Sequence, residues 1–231
     1  MFTLLSLQAD SLTATTSTAV IENVAPNTEI SVLEFILKGG FFLIPIAILL
    51  LYTFYVIAER YLYIDRASKT DDRLLRDVGE QLQSGNIELA RAIVERSTNA
   101  SSTIIKEGIL VIGRPIAEIE SNMDRAADIE IGQMEKHLGH LGLIAGIAPT
   151  LGFIGTISGV IKIFYSISVT ENISIGNISG GLYEKMISSG AGLIVGIIAY
   201  SAYHLLNGKI DNFALKVQKQ ILEFVNIIQR A

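Results

Sequence analysis

The chain has 231 residues, half of them hydrophobic, with a formal net charge of −5 and no cysteine. So mild a charge, with no Lys/Arg cluster, argues against a nucleic-acid partner, and the lack of thiols excludes disulfides and thiolate metal sites. The apolar residues fall into three blocks free of Asp, Glu, Lys and Arg, at 41–58, 141–161 and 186–206, each long enough to cross a bilayer core as a helix.

In chain order, residues 1–30 are rich in Ser, Thr and Ala with little periodicity, which predicts a flexible tail. "MFTLLSLQA" could be the stub of a signal peptide, but it lacks a basic start and its apolar core is short, so it is read as part of the tail. "EISVLEFILKGG" is an amphipathic approach helix that closes at Gly39-Gly40, so that residues 31–60 hold this helix and the first span. Residues 61–137 form a helical domain. In it "DDRLLRDVGEQLQSGNIELARAIVER" is a helical hairpin turning at Ser84-Gly85-Asn86, and Pro115 opens a further helix. The stripe Ile116, Ile119, Met123, Ala126, Ala127, Ile131 runs toward His137 with only Gly139 and Gly142 before the second span, at 138–169. One long helix, bent near Pro149, is expected there. A loop at 170–181 leads to the third span at 182–206. The tail, 207–231, is amphipathic, with Ile210, Phe213, Ala214, Val217, Ile221, Phe224, Val225 and Ile228 on one face. That face must pack on the helical domain or on another subunit.

Orientation follows from the basic residues. Only Lys38 precedes the first span, whereas Arg60, Arg66, Lys69, Arg73 and Arg76 follow it closely. Lys162 and Lys185 flank the second connection, and Lys209, Lys216, Lys219 and Arg230 lie in the tail. The expected topology is an extracytoplasmic N-terminus, a cytoplasmic helical domain at 61–137, an extracytoplasmic loop at 170–181 and a cytoplasmic C-terminus.

Within the spans, small residues recur every three or four positions. The second carries Ala145, Ala148 or Pro149, Gly152, Gly155 or Thr156, and Gly159; the third carries Ser189, Gly192, Gly196, Ala199 and Tyr203. In lipid, such stripes let helix backbones approach closely. Placing the midpoint of the connection between Lys162 and Lys185 sets Thr156 and Ser189 at nearly one depth. A hydroxyl in a helix can simply bond its own preceding carbonyl, but two on neighbouring stripes at one level also suit a polar path. Lys162 snorkels to the headgroups. Glu184 shares a face with Ser188, and either guards the mouth of such a path or sits in the interface. His137 and His140, with Glu135, have a metal-pair spacing but no further ligands, and read as interfacial residues; His204 reads as a satisfied polar residue. No metal or cofactor is expected. An intramembrane hydrolase using Ser158 and His204 fails on distance, since the two sit near opposite ends of their spans, on the order of 20 Å or more apart.

"APTLGFIGTISGVIKIF" resembles the second-span signature of the ExbB/TolQ/MotA family of proton-channel subunits, approximately A-P-x-x-G-L-x-G-T-V-x-G. "YEKMISSGAGLIVGIIAYSAYHLL" resembles the family's third span. Three spans and a large inner insertion are similar to the ExbB/TolQ branch, and the resemblance covers roughly residues 35–225. It implies an all-α membrane protein with three transmembrane helices and long cytoplasmic helical extensions, assembled as a homopentameric ring in the bacterial inner membrane. By position it carries the family's pore-lining threonine onto Thr156, its third-span counterpart onto Ser189, the acidic residue at the third-span entrance onto Glu184, and the proline onto Pro149. Gly152, Gly155, Gly159, Gly192 and Gly196 are helix-packing residues. Two departures are Ile198 where the third span commonly has proline, which puts a kink there in doubt, and His204 where asparagine is often found. The implied partners are an ExbD- or TolR-like single-span protein whose membrane aspartate carries the proton in the pore, and a TonB- or TolA-like protein that receives the force. The implied function is non-enzymatic: a proton-channel or stator subunit driving work such as TonB-dependent outer-membrane import. The alternatives are a TolQ-type role in maintaining the outer membrane and a passive membrane scaffold.

Overall fold

A computed structural model describes residues 41–69, 72–97, 99–170 and 175–230, and every regular element among them is an α-helix. The expected tail and approach helix lie outside the described residues. The helices are α1 Leu43–Ala67, α2 Asp72–Gln83, α3 Ile87–Glu95, α4 Ala100–Leu110, α5 Ile116–Glu135, α6 Leu138–Thr170 and α7 Ile175–Arg230. Three helical stretches, within α1, α6 and α7, are long and apolar enough to cross a membrane.

The hairpin expected at Ser84–Asn86 is present between α2 and α3, and Gly85 supplies the turn with φ 77°. Pro115, with φ −52°, directly precedes α5, where its missing N–H costs the helix nothing. The Ser102 hydroxyl donates to the carbonyls of Asn99 and Ser97, at 2.6 and 2.9 Å, and ties down the start of α4.

Two expectations are corrected. The helix foreseen from Ile116 through His137 into the second span is two helices, because Lys136 swings to ψ 134° and His137 takes φ 68°. The connection foreseen at 170–181 is mostly helical: α6 runs to Thr170 and α7 begins at Ile175. The reason lies in packing, since a side chain at Gly181 would lie only 3.0 Å from Ile163, so the first turns of α7 already lean on α6. From there α7 continues unbroken for 56 residues, about 84 Å at helical rise, and passes Ile198 without interruption.

Two apolar clusters hold the chain together. One, in the membrane-length part, joins Ile46 of α1, Ile144 and Ala148 of α6, and Val195 and Ala199 of α7. The other fills the helical insertion, where the C-terminal half of α7 presents Ile210, Phe213, Val217, Ile221 and Phe224 to α2, α4 and α5. The amphipathic face of the tail is therefore spent largely inside its own chain. Gly108 makes room for it, since a methyl there would meet Phe224 at 2.7 Å and Met123 at 2.6 Å.

Candidate functional site

The most intimate contact in the molecule is the antiparallel seam between α6 and α7. A Cβ on Gly152 would fall 2.9 Å from the Cα of Ser189 and 3.1 Å from the carbonyl oxygens of Ser188 and Ser189. A Cβ on Gly192 would collide with the Ala148 carbonyl, and one on Gly196 would reach Cγ of Pro149 at 2.6 Å. Farther along, a Cβ on Gly155 would lie 2.8 Å from the Ser188 hydroxyl, and Gly159 lies under the Lys185 side chain. Backbone meets backbone at Gly152 and Gly192, as small residues in membrane helices permit. Pro149, which offers no N–H to the ladder, is accommodated within α6 opposite Gly196.

These contacts set the register. Ser189 lies opposite Gly152, Ser188 opposite Gly155 and Gly196 opposite Pro149, which puts Thr156 and Ser189 within about one helical turn of each other along the seam. The same register keeps Ser158 and His204 on the order of 25 Å or more apart, so no hydrolytic pair can form.

Thr156 and Ser189 are both half-buried, at the edge of the seam, whereas Ser188 is completely buried within it. The Thr156 hydroxyl donates to the Phe153 carbonyl at 2.6 Å, and the Ser188 hydroxyl to the Lys185 carbonyl at 3.0 Å. With their protons so committed, both oxygens retain lone pairs and act as acceptors. Glu184 belongs to α7, one turn before Ser188, and its side chain lies outside the described residues. Ser188 was not among the expected path residues. Its signal was its place beside Ser189, which became informative only once the register was known.

A second polar cluster, also unforeseen, occupies the boundary between the spans and the helical insertion. Arg60 is only 6% exposed; its guanidinium pairs with Glu59, donates to the Gln133 carbonyl at 3.1 Å and lies 5.0 Å from the Tyr63 ring centre. His137 and His140 are brought together, ring centres 5.4 Å apart, and no group of three or more metal-ligating side chains forms among the described residues. His204 packs edge-on against Tyr200 and Tyr203, with ring centres 4.3 and 5.2 Å away.

An all-α chain with three membrane-length helices and a glycine-lined seam between the last two belongs to the class of helical membrane proteins. Residues 89–219, more than half the chain, match the MotA/TolQ/ExbB proton channel family. The ExbB homolog of Methanothermobacter thermautotrophicus is 30% identical over 189 residues, covering 81% of this chain and 67% of that protein. The ExbB-like protein 1 of Synechocystis sp. is 26% identical over 178 residues, 75% of this chain and 70% of its own. The Tol-Pal system protein TolQ of Haemophilus influenzae is 27% identical over 108 residues, 47% of each chain. The chain belongs to the MotA/TolQ/ExbB family, and within it is most similar to the ExbB-like biopolymer transport proteins. It is accordingly a multi-pass inner-membrane protein of a channel family linked to the proton-motive force, not an enzyme.

Proposed function

We propose that this chain is the proton-channel subunit of an inner-membrane energy transducer, with its N-terminus outside the cytoplasm and its helical insertion and C-terminus inside. Five copies surround a pore that receives the single span of an ExbD- or TolR-like partner, and the aspartate of that partner is the proton carrier. The observation that carries this reading is the seam: hydroxyls of Thr156 and Ser189 left half-open beside glycines that bring α6 and α7 into backbone contact.

The chemistry follows from those hydroxyls. Neither can hold a charge at physiological pH, so the chain supplies hydrogen bonds and the partner supplies the titrating group. A protonated aspartic acid donates its O–H to the Thr156 oxygen, whose own proton already lies on the Phe153 carbonyl. After the proton leaves, rotation of the threonine hydroxyl offers the carboxylate a donor instead. Glu184, in the entrance turns of α7, attracts protons to the outer mouth. Each charge crossing 100 mV releases about 2.3 kcal/mol, so a few protons supply one mechanical step. The force acts on a TonB-like protein to power outer-membrane import. A TolQ-type role toward a TolA-like protein is the second reading, favoured by the likeness to the Haemophilus TolQ.

The test is proton uptake by proteoliposomes holding the chain with its aspartate-bearing partner, with assembly checked by size. Thr156→Val should abolish voltage-driven uptake while the complex keeps its mass, and Thr156→Ser should restore most of it. Full uptake by Thr156→Val would leave a passive scaffold as the better account.

A further inference from the structure

One face of α1 is exposed along the length of the helix. Ile44, Ile48, Leu51, Tyr55 and Leu62 follow one another at spacings of three, four or seven, which stacks them on a single stripe. Each is between 56% and 72% exposed. The stripe continues to Arg66, one turn beyond Leu62, and Lys69 follows just past the helix end. From Leu51 to Leu62 is about 16 Å at helical rise, close to the ~15 Å that one leaflet contributes to a hydrocarbon core about 30 Å thick. The stripe is thus a track of acyl-chain length that ends on a cation.

Arg66 also opens onto a cleft. A cavity of about 560 Å³ lies where the end of α1 meets α4 and α5, and Arg66 and Lys69 line it with Asn99 and Thr103 at the start of α4 and Glu130 of α5. That volume is in the range of small-ligand sites. The basic residues that follow the first span are therefore not equivalent. Arg60 is buried, paired with Glu59 and bonded to the Gln133 carbonyl. Arg66 and Lys69 are exposed and form no ion pair among the described residues. Two cations outweigh the one carboxylate of the cleft wall. Tyr63 on the same rim, with Tyr61 beside it in the chain, sets the cleft at headgroup level, since tyrosines gather where hydrocarbon gives way to polar headgroups. Guanidinium and ammonium groups hold phosphate oxygens by charge-assisted hydrogen bonds, Arg with two parallel N–H donors. A free phosphate would meet the same cations, but the apolar stripe adds a contact that only a lipid can use.

We propose that the Arg66–Lys69 cleft holds the phosphate of an anionic phospholipid from the leaflet beside the helical insertion, with an acyl chain laid along Leu62, Tyr55 and Leu51. The lipid bridges the end of α1 and the start of α4, and so fastens the insertion to the membrane surface. The site is separate from the α6–α7 seam and stands independently of whether that seam conducts protons.

The test is native mass spectrometry of the full-length protein titrated in detergent with phosphatidylglycerol or with phosphatidylcholine, which carries the same phosphate beside a compensating ammonium. Each basic residue at an anionic headgroup strengthens binding about fivefold, so phosphatidylglycerol should bind roughly twentyfold more tightly than phosphatidylcholine at low salt. Arg66→Gln combined with Lys69→Gln should remove that preference. Arg76→Gln, the loss of an exposed charge on α2 outside the cleft, should keep it. Equal affinity of the wild-type protein for the two lipids would overturn the proposal without recourse to any variant. So would an undiminished preference in the double variant, or an equal loss in Arg76→Gln, which would mark a diffuse charge effect. In a parallel thermal-unfolding series phosphatidylglycerol should raise the midpoint and millimolar inorganic phosphate should not. The same rise with phosphate alone would make the ligand a soluble anion and overturn the lipid assignment.

Discussion

Replacing Gly152 with alanine tests the seam directly. The added methyl would sit 2.9 Å from the Ser189 Cα and 3.1 Å from two backbone carbonyl oxygens. Comfortable carbon contacts begin at about 3.5 Å, so α6 and α7 must part by roughly 0.5 Å or more. All three obstacles are main-chain atoms, and no rotamer change relieves them. Overpacking of this kind costs about 1–3 kcal/mol, against which alanine recovers about 1 kcal/mol of helix propensity. Gly146→Ala is the internal control. It lies on the same helix with nothing within 4 Å of a new Cβ, so only the propensity gain applies there. Thermal unfolding of the detergent-solubilised chain, followed by tyrosine fluorescence or circular dichroism, should place Gly152→Ala below Gly146→Ala by about 1–3 kcal/mol. At roughly 2–4 °C per kcal/mol for a chain of this size, that is a separation of about 2–12 °C. A Gly152→Ala protein that melts with or above the control would refute the claim that backbone contact at this level sets the register.

Two further outcomes concern the helical insertion. Phe224 is fully buried and packs against Gly108, so Phe224→Ala should cost about 3–5 kcal/mol, read as a lower denaturation midpoint and early proteolysis within residues 72–135. Glu130, on α5 well before the second span, has its carboxyl pushed above the usual carboxylate range by burial. Its charged form is thus the one the folded state disfavours, and the destabilisation sets in as pH rises through the raised folded value. Glu130→Gln should therefore unfold at a higher temperature than wild type at pH 7, with the gap closing as the pH falls below the carboxylate range. A gap that widens on acidification would contradict the burial argument.

Composition and periodicity were enough for the three spans, the turn at Gly85, the start of α5 at Pro115 and the apolar face of the tail, because each rests on a local rule. Hydrocarbon thickness sets the length of an uncharged run, and helical spacing sets which residues share a face. The family was legible for a related reason: its signature is a contiguous pattern of small and hydroxyl residues within one helix. Tertiary structure alone decided how α6 and α7 pair, because register depends on which glycine meets which carbonyl across forty residues of sequence. Hence Ser188, not Ser189, is the hydroxyl sealed into the seam. It also decided the fate of Arg60. In the sequence that residue is one positive charge marking the inside of a membrane; in the fold it caps a helix end 73 residues away. Local order is written in neighbouring residues, whereas a polar group becomes buried, paired or strained only through partners that the chain brings to it from afar.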